Sequence, residues 1–123
     1  MSMPKILLVE DDNTMLMLLR TLLRFEGFDI AHLSEEETVD GIMKAIREEK
    51  PDLILLDVHL HQLDGFDLLQ NIRKDRETKT VRVLMSSGMD FSARCAEEGA
   101  DGFILKPYMP EDLIQIIRQA LSE

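Results

Sequence analysis

The sequence predicts a doubly wound α/β domain built on a five-stranded parallel sheet, with strands and helices alternating as (βα)5. Three observations predict it. Apolar runs of four or five residues alternate with helical patterns of ten or more. The runs are continuous rather than alternating, as strands covered on both faces must be. The unusual polar residues follow the ends of those runs, where an open parallel sheet binds its ligand.

Lys5 to Val9 reads as the first buried strand. Asn13 to Glu26 carries Leu16, Leu19, Leu22 and Leu23 at helical spacing, and Gly27 is the stop. Phe28 to His32 reads as the second strand. Ser34 and Glu37 have the spacing of a capping box, the acids Glu35, Glu36 and Glu37 suit a helix start, and Val39, Ile42, Met43 and Ile46 form the apolar stripe of the second helix. Pro51 ends that region, and Asp52 to Leu56 is the third strand. Gly65 to Arg76 is the third helix, with Phe66, Leu68, Leu69 and Ile72 apolar. Val81 to Met85 is the fourth strand. Asp90 can cap a short fourth helix that ends at Gly99, and Gly102 to Leu105 is the fifth strand. Pro110 holds a favoured first helical position before Leu113, Ile116, Ile117, Ala120 and Leu121.

The 123 residues fit one domain with a sizeable core, residues 1–123, and no effector domain is expected. With 45% apolar and 31% charged residues the composition is that of a globular protein, not a disordered chain. The net charge of −10 argues against direct nucleic-acid binding, which needs clustered Lys and Arg. The single Cys95 forms no internal disulfide and suits a reducing, cytoplasmic setting. The start of the chain lacks signal-peptide character, and no apolar stretch approaches membrane-spanning length.

The chemistry gathers at four strand ends. Glu10, Asp11 and Asp12 follow the first strand, and Asp57 is the first polar group after Leu53-Ile54-Leu55-Leu56. Ser86-Ser87-Gly88 ends the fourth strand and Lys106-Pro107 the fifth. Carboxylates converging at one sheet edge repel: two unit charges about 4 Å apart cost about 4 kcal/mol at an effective dielectric near 20. A hard divalent cation with oxygen ligands relieves that repulsion, and Mg²⁺ needs only two or three protein oxygens. Asp11 and Asp57 suit direct ligation, and Glu10 suits holding a bound water. Asp57 can then act as a nucleophile on phosphorus, with Lys106 neutralising one phosphoryl oxygen and Ser87 donating to another.

Five stretches carry a resemblance: Lys5-Ile6-Leu7-Leu8-Val9-Glu10-Asp11-Asp12, Asp52-Leu53-Ile54-Leu55-Leu56-Asp57, Leu63-Asp64-Gly65-Phe66, Val83-Leu84-Met85-Ser86-Ser87-Gly88, and residues 99–107 ending in Leu105-Lys106-Pro107. Each alone is weak, but in this order and spacing they make the chain resemble a response-regulator receiver domain of two-component phosphorelay signalling over nearly its whole length. The resemblance implies a flavodoxin-like sheet of order 2-1-3-4-5. It implies that Asp57 accepts a phosphoryl group from a sensor histidine kinase or histidine phosphotransfer protein. Glu10, Asp11, Asp57 and the backbone carbonyl of His59 would organise Mg²⁺ or Mn²⁺. Ser87 and Lys106 would read the phosphoryl group, and Ser87, Phe103, Lys106 and Pro107 would switch the face formed by the fourth helix, fifth strand and fifth helix. The Lys106–Pro107 peptide is expected to be cis. The implied partners are the phosphodonor and a downstream effector, with homodimerisation on activation left open. It is not expected to be an enzyme beyond self-phosphorylation from small donors and slow dephosphorylation.

Some positions depart from the family's usual pattern. His61 stands where proline is common, so a less rigid loop is expected. Phe103 replaces the more frequent tyrosine, and Met109 stands where a polar helix cap is common. The resemblance implies that His59 and Met89, two residues after Asp57 and Ser87, flank the path of the hydrolytic water; Met89 is apolar and suits blocking it, so slow loss of the phosphoryl group is expected.

Plainer readings compete residue by residue. An isolated Asp57 can be a solvated carboxylate, Glu10 and Asp11 can be helix caps, Lys106 a surface charge, and Ser87 a partner of local backbone. Asp12 reads as a cap, His32 as an ordinary strand-end residue, Cys95 as a small helix residue, and His59 with His61 is poor evidence for zinc. A haloacid-dehalogenase-like phosphatase would need an acid two residues after the nucleophile, where His59 stands. A flavodoxin-like cofactor site would be repelled by Glu10-Asp11-Asp12, and no P-loop motif is present. The remaining alternative is a receiver fold used for docking without phosphorylation.

Overall fold

A computed structural model of the chain describes residues 3–31, 33 and 38–122. Five strands, β1 (Lys5–Val9), β2 (Asp29–Ile30), β3 (Leu53–Asp57), β4 (Arg82–Ser87) and β5 (Gly102–Leu105), form one parallel sheet in the order β2-β1-β3-β4-β5. The helices are α1 (Asn13–Phe25), α2 (Val39–Glu49), α3 (Gly65–Lys74), α4 (Ser92–Glu97) and α5 (Pro110–Leu121). The predicted architecture and strand order are those observed. No described helix is long and apolar enough to cross a membrane.

Successive side chains of a strand point to opposite faces, and here both faces are buried. Leu7 and Val9 of β1, Ile54 and Leu56 of β3, and Val83 and Met85 of β4 join Ile42, Met43 and Ile46 of α2 and Phe66, Leu68, Leu69 and Ile72 of α3 in one core. Ile6, Leu8, Leu53, Leu55 and Leu84 join Leu19 and Leu23 of α1 and Leu113, Ile114 and Ile117 of α5 in the other. Full burial of each such side chain stabilises by about 1.5–3 kcal/mol. Cys95 is buried on the α3 side, its Sγ 3.7 Å from Met85 Sδ.

The caps follow the local chemistry. Asp12 accepts from the Thr14 and Met15 amides at the start of α1, as expected. Gly27, at φ +91°, ends it by letting the Gly27 and Phe28 amides reach the Arg24 and Leu23 carbonyls. Thr38, which the sequence reading passed over, caps α2 through the Gly41 amide. Asp90 accepts from the Ser92 amide before α4. Met109 offers α5 no side-chain cap, as expected. The proposed Ser34–Glu37 box, the Glu35–Glu37 helix start and the reading of His32 lie outside the described residues.

The bounds of three strands are corrected. β2 spans only Asp29–Ile30, because Phe28 packs into the α1/α5 core instead of joining the ladder. β4 runs on through Ser86 and Ser87, both buried, and β3 includes Asp57, which is in register with Ser86. Their polarity hid the strand ends.

Arg73 closes the sheet edge beside α4. Its guanidinium donates to the carbonyls of Gly99, Lys79 and Val81 and pairs with Asp101, whose Oδ2 also accepts from the Val83 amide. A lysine cannot reproduce this planar fork. Arg73→Lys is therefore expected to lower stability by about 2 kcal/mol, measured by urea unfolding with an unchanged m-value.

Candidate functional site

Parallel pairing brings the ends of β1, β3, β4 and β5 to one edge. Val9 is in register with Leu56, so the residues that follow them in the chain, Glu10 and Asp57, lie side by side at this edge. Ser87 pairs with Leu105, and the Lys106 amide donates to the Ser87 carbonyl at 2.8 Å. β4 lies between β3 and β5, so the long Lys106 side chain spans the end of β4 to reach the acids. Lys106 Nζ donates to Glu10 Oε1 at 2.9 Å and to Asp57 Oδ2 at 3.0 Å. The Lys106–Pro107 peptide is cis, as expected.

The other oxygens are held by backbone donors. Glu10 Oε2 accepts from the Asp11 amide at 2.9 Å and the Asp12 amide at 3.3 Å. Asp57 Oδ1 accepts from the His59 amide at 3.2 Å. Ser87 Oγ accepts from the Met89 amide at 3.1 Å, which leaves its own proton free to donate elsewhere. Phe103, in register with Met85, is half-buried against the α3-side core.

Asp57 is only 8% exposed. Burial pushes its carboxyl up from the ordinary value, and the Glu10 charge adds to that, outweighing the lowering by Lys106. For Lys106, burial pulls the ammonium down, but the hydrogen bonds and charges of Glu10 and Asp57 outweigh it and hold it above the usual lysine value. Lys106 is thus a fixed cation set between two acids.

The acid repulsion was expected to be relieved by a divalent cation; in this structure Lys106 stands between Glu10 and Asp57, and the Asp11 carboxylate turns to the loop after β3, where it accepts from the His61 backbone amide. Among the described residues no three His, Cys, Asp or Glu side chains form a ready-made metal group. The donor set still fits Mg²⁺ or Mn²⁺ chemically. Glu10, Asp11, Asp57 and the His59 carbonyl are hard oxygen donors at adjoining strand ends, and a cation there would meet the charge that Lys106 now balances. The loop expected to be looser for want of proline is tied instead, because His61 supplies an amide proton that proline lacks. His61 Nδ1 also lies 3.5 Å from Asp11 Oδ2. Departure from proline was the only sequence signal for this tie.

The sequence matches the family model described as the response regulator receiver domain over residues 6–118. The chain belongs to that family. This receiver is 33% identical over 117 residues to the DNA-binding response regulator MtrA of Mycolicibacterium paratuberculosis, covering 95% of this chain and 51% of MtrA. It is 32% identical over 124 residues to the DNA-binding dual master transcriptional regulator RpaA of Synechocystis, covering 97% of this chain and 49% of RpaA. The receiver thus spans about half the length of these curated relatives. A CheY-like receiver domain protein from Methanospirillum hungatei superposes with TM-score 0.84 at 30% identity, covering 98% of this chain and 95% of that one. The receiver domain of the sensor histidine kinase PA1611 from Pseudomonas aeruginosa shares the fold at TM-score 0.83 and 21% identity, over 99% of this chain and 100% of that one, and holds a magnesium ion in its active-site cleft. Receivers of this family act in two-component signalling with histidine kinases and effectors.

Proposed function

We propose that this receiver takes a phosphoryl group on Asp57 from a phosphohistidine donor and, so modified, changes its α4–β5–α5 face for an effector. The observation that carries the reading is the Lys106 ammonium held 3.0 Å from a buried Asp57 carboxylate that is raised in pKa and backed by Glu10. An Asp57 carboxylate oxygen attacks phosphorus, the P–N bond breaks, and its electron pair leaves with the donor imidazole, which takes up a proton. Lys106 pairs with a phosphoryl oxygen, and the free Ser87 hydroxyl proton donates to another. Glu10, Asp11, Asp57 and the His59 carbonyl would hold Mg²⁺ or Mn²⁺, which supplies positive charge against the carboxylates and the phosphoryl oxygens.

The switch is bounded by its contacts. One charge-assisted hydrogen bond from Ser87 is worth about 1.5–3 kcal/mol. Coupling of that size shifts a two-state equilibrium by roughly 10- to 150-fold, sufficient for a reversible signal. Phe103 moves with Ser87 without a phenolic hydroxyl. The donor is a sensor histidine kinase or a histidine phosphotransfer protein in the cytoplasm, direct nucleic-acid binding is not part of this reading, and a homodimer on the activated face is allowed.

The test is incubation with Mg²⁺ and acetyl phosphate or beryllofluoride. Gain of one phosphoryl group in intact mass, lost in Asp57→Asn, supports the reading. No change in mass or spectra, with partner binding indifferent to the donor, means the fold serves only for docking. Met89 is exposed beside the centre, its amide already on Ser87 Oγ. A carboxylate there would orient water, so Met89→Glu is expected to speed loss of the phosphoryl group several-fold in single-turnover decay. An unchanged decay would remove Met89 from that role.

A further inference from the structure

A side-chain cluster outside the ion-paired centre joins the loop after β3 to α4. Phe91 is the residue immediately before α4, and its ring stands edge-on to two others. The His59 ring is 5.6 Å away at 64°, and the Phe66 ring of α3 is 5.8 Å away at 75°. Arg94 of α4 lies 3.9 Å over the Phe66 ring and is paired with Glu98. Glu98 in turn accepts from the Gln70 amide group of α3 through both its side chain and its carbonyl. α4 has six residues and buries only Cys95. So short a helix does not hold itself in water; it packs on β5, buries Cys95 in the core and is joined to α3 through this cluster.

The cluster reaches Asp57 through one residue. The His59 ring touches Phe91, and the His59 amide donates to Asp57 Oδ1. A carboxylate acceptor makes that bond roughly twice as strong as a neutral one would. Formation of the acyl phosphate described above withdraws the charge from the Asp57 oxygens and weakens the bond. The loop carrying the His59 ring is then freer to leave Phe91, and α4 loses part of what seats it.

We propose that Phe91 is a positioning residue that couples the state of Asp57 to the seat of α4 on α3 through the ring of His59, in parallel with Ser87 and Phe103. The proposal rests on Asp57 being the phosphoacceptor. A coupling route requires α4 to take a second arrangement when Asp57 is modified, and the experiment below reads that directly. Phe91→Leu keeps apolar volume and removes the ring edge, whereas Phe91→Tyr keeps the ring.

The experiment follows backbone amide shifts by NMR when Mg²⁺ and saturating beryllofluoride are added to the full chain. In the wild type, the shifts are expected at Val58 and across Ser92–Glu97. In Phe91→Leu the Val58 shift persists while those of Ser92–Glu97 fall at least threefold, and Phe91→Tyr restores them. Combining Phe91→Leu with His59→Ala lowers the α4 response no further than either change alone, as serial members of one route must. Undiminished α4 shifts in Phe91→Leu, or additive losses in the double variant, would overturn the coupling while leaving phosphorylation intact. No response of Val58 in the wild type would overturn the reading of Asp57 and this proposal together.

Discussion

Gly65→Ala is expected to cost about 3 kcal/mol of stability and to weaken the response to a phosphodonor. A Cβ at this position would lie 2.4 Å from the Asp57 carbonyl oxygen and 2.9 Å from both Cα and the carbonyl oxygen of Val58. All three are backbone atoms, so no side-chain rotation relieves the overlap. Relief has to come from β3 or from the start of α3, which are joined here by the Gly65 amide donating to the Val58 carbonyl at 2.9 Å. β3 is the central strand of the sheet, and Asp57 is its last residue, so the displacement falls on the candidate phosphoacceptor itself. Gly102→Ala is the matched control. Its Cβ would lie 2.8 Å from Leu84 Cδ2, the far end of a flexible side chain, and a rotamer change limits the cost to about 1 kcal/mol. Urea unfolding of the two variants decides the matter: equal losses would show that the β3–α3 junction yields as readily as a leucine side chain.

The fold was legible because periodicity and continuous apolar runs are carried by residue type. Leu53-Ile54-Leu55-Leu56 had to be a covered strand, and the stripe of α5 had to face a sheet. The convergence of Glu10, Asp57 and Lys106 followed from parallel topology alone. What was missed depends on backbone groups, which look alike in any sequence. The His61 amide that ties the β3–α3 loop to Asp11 was signalled only by a residue that is not proline, and the three carbonyls gathered by Arg73 left no pattern to read. Ser86 and Ser87 misled in the opposite sense: polar residues in a buried strand look like its end, yet here both are buried and paired within β4. The sequence assigns Lys106 to a phosphoryl oxygen and the acids to a cation; the pairing of Lys106 with Glu10 and Asp57 in the resting protein depends on side-chain reach across β4, which no residue pattern encodes.

Asp57→Asn is expected to abolish phosphoryl incorporation and, in EDTA, to raise thermal stability at neutral pH. Burial raises the Asp57 carboxyl above its ordinary value of 3.8, so the ionised group is worse off folded than unfolded. Above the raised value, Asp57 is charged in both states and the folded protein carries the whole penalty. As pH falls through the raised value, the folded state takes up the proton before the unfolded state does, and the penalty shrinks. Below 3.8 both states are protonated and it is gone. Asparagine carries no such penalty at any pH, and Glu10 remains to pair with Lys106. The stability gap between variant and wild type should therefore be widest near pH 7 and close toward pH 4, while other carboxylates, common to both proteins, cancel. Adding Mg²⁺ at pH 7 should narrow the gap from the other side, since an ionised Asp57 is a ligand and asparagine is a poor one. A wild type more stable than Asp57→Asn in EDTA at pH 7 would mean that the Lys106 ion pair outweighs burial. The resting centre would then be a stabilising element of the fold instead of a strained charge awaiting its cation and its phosphoryl group.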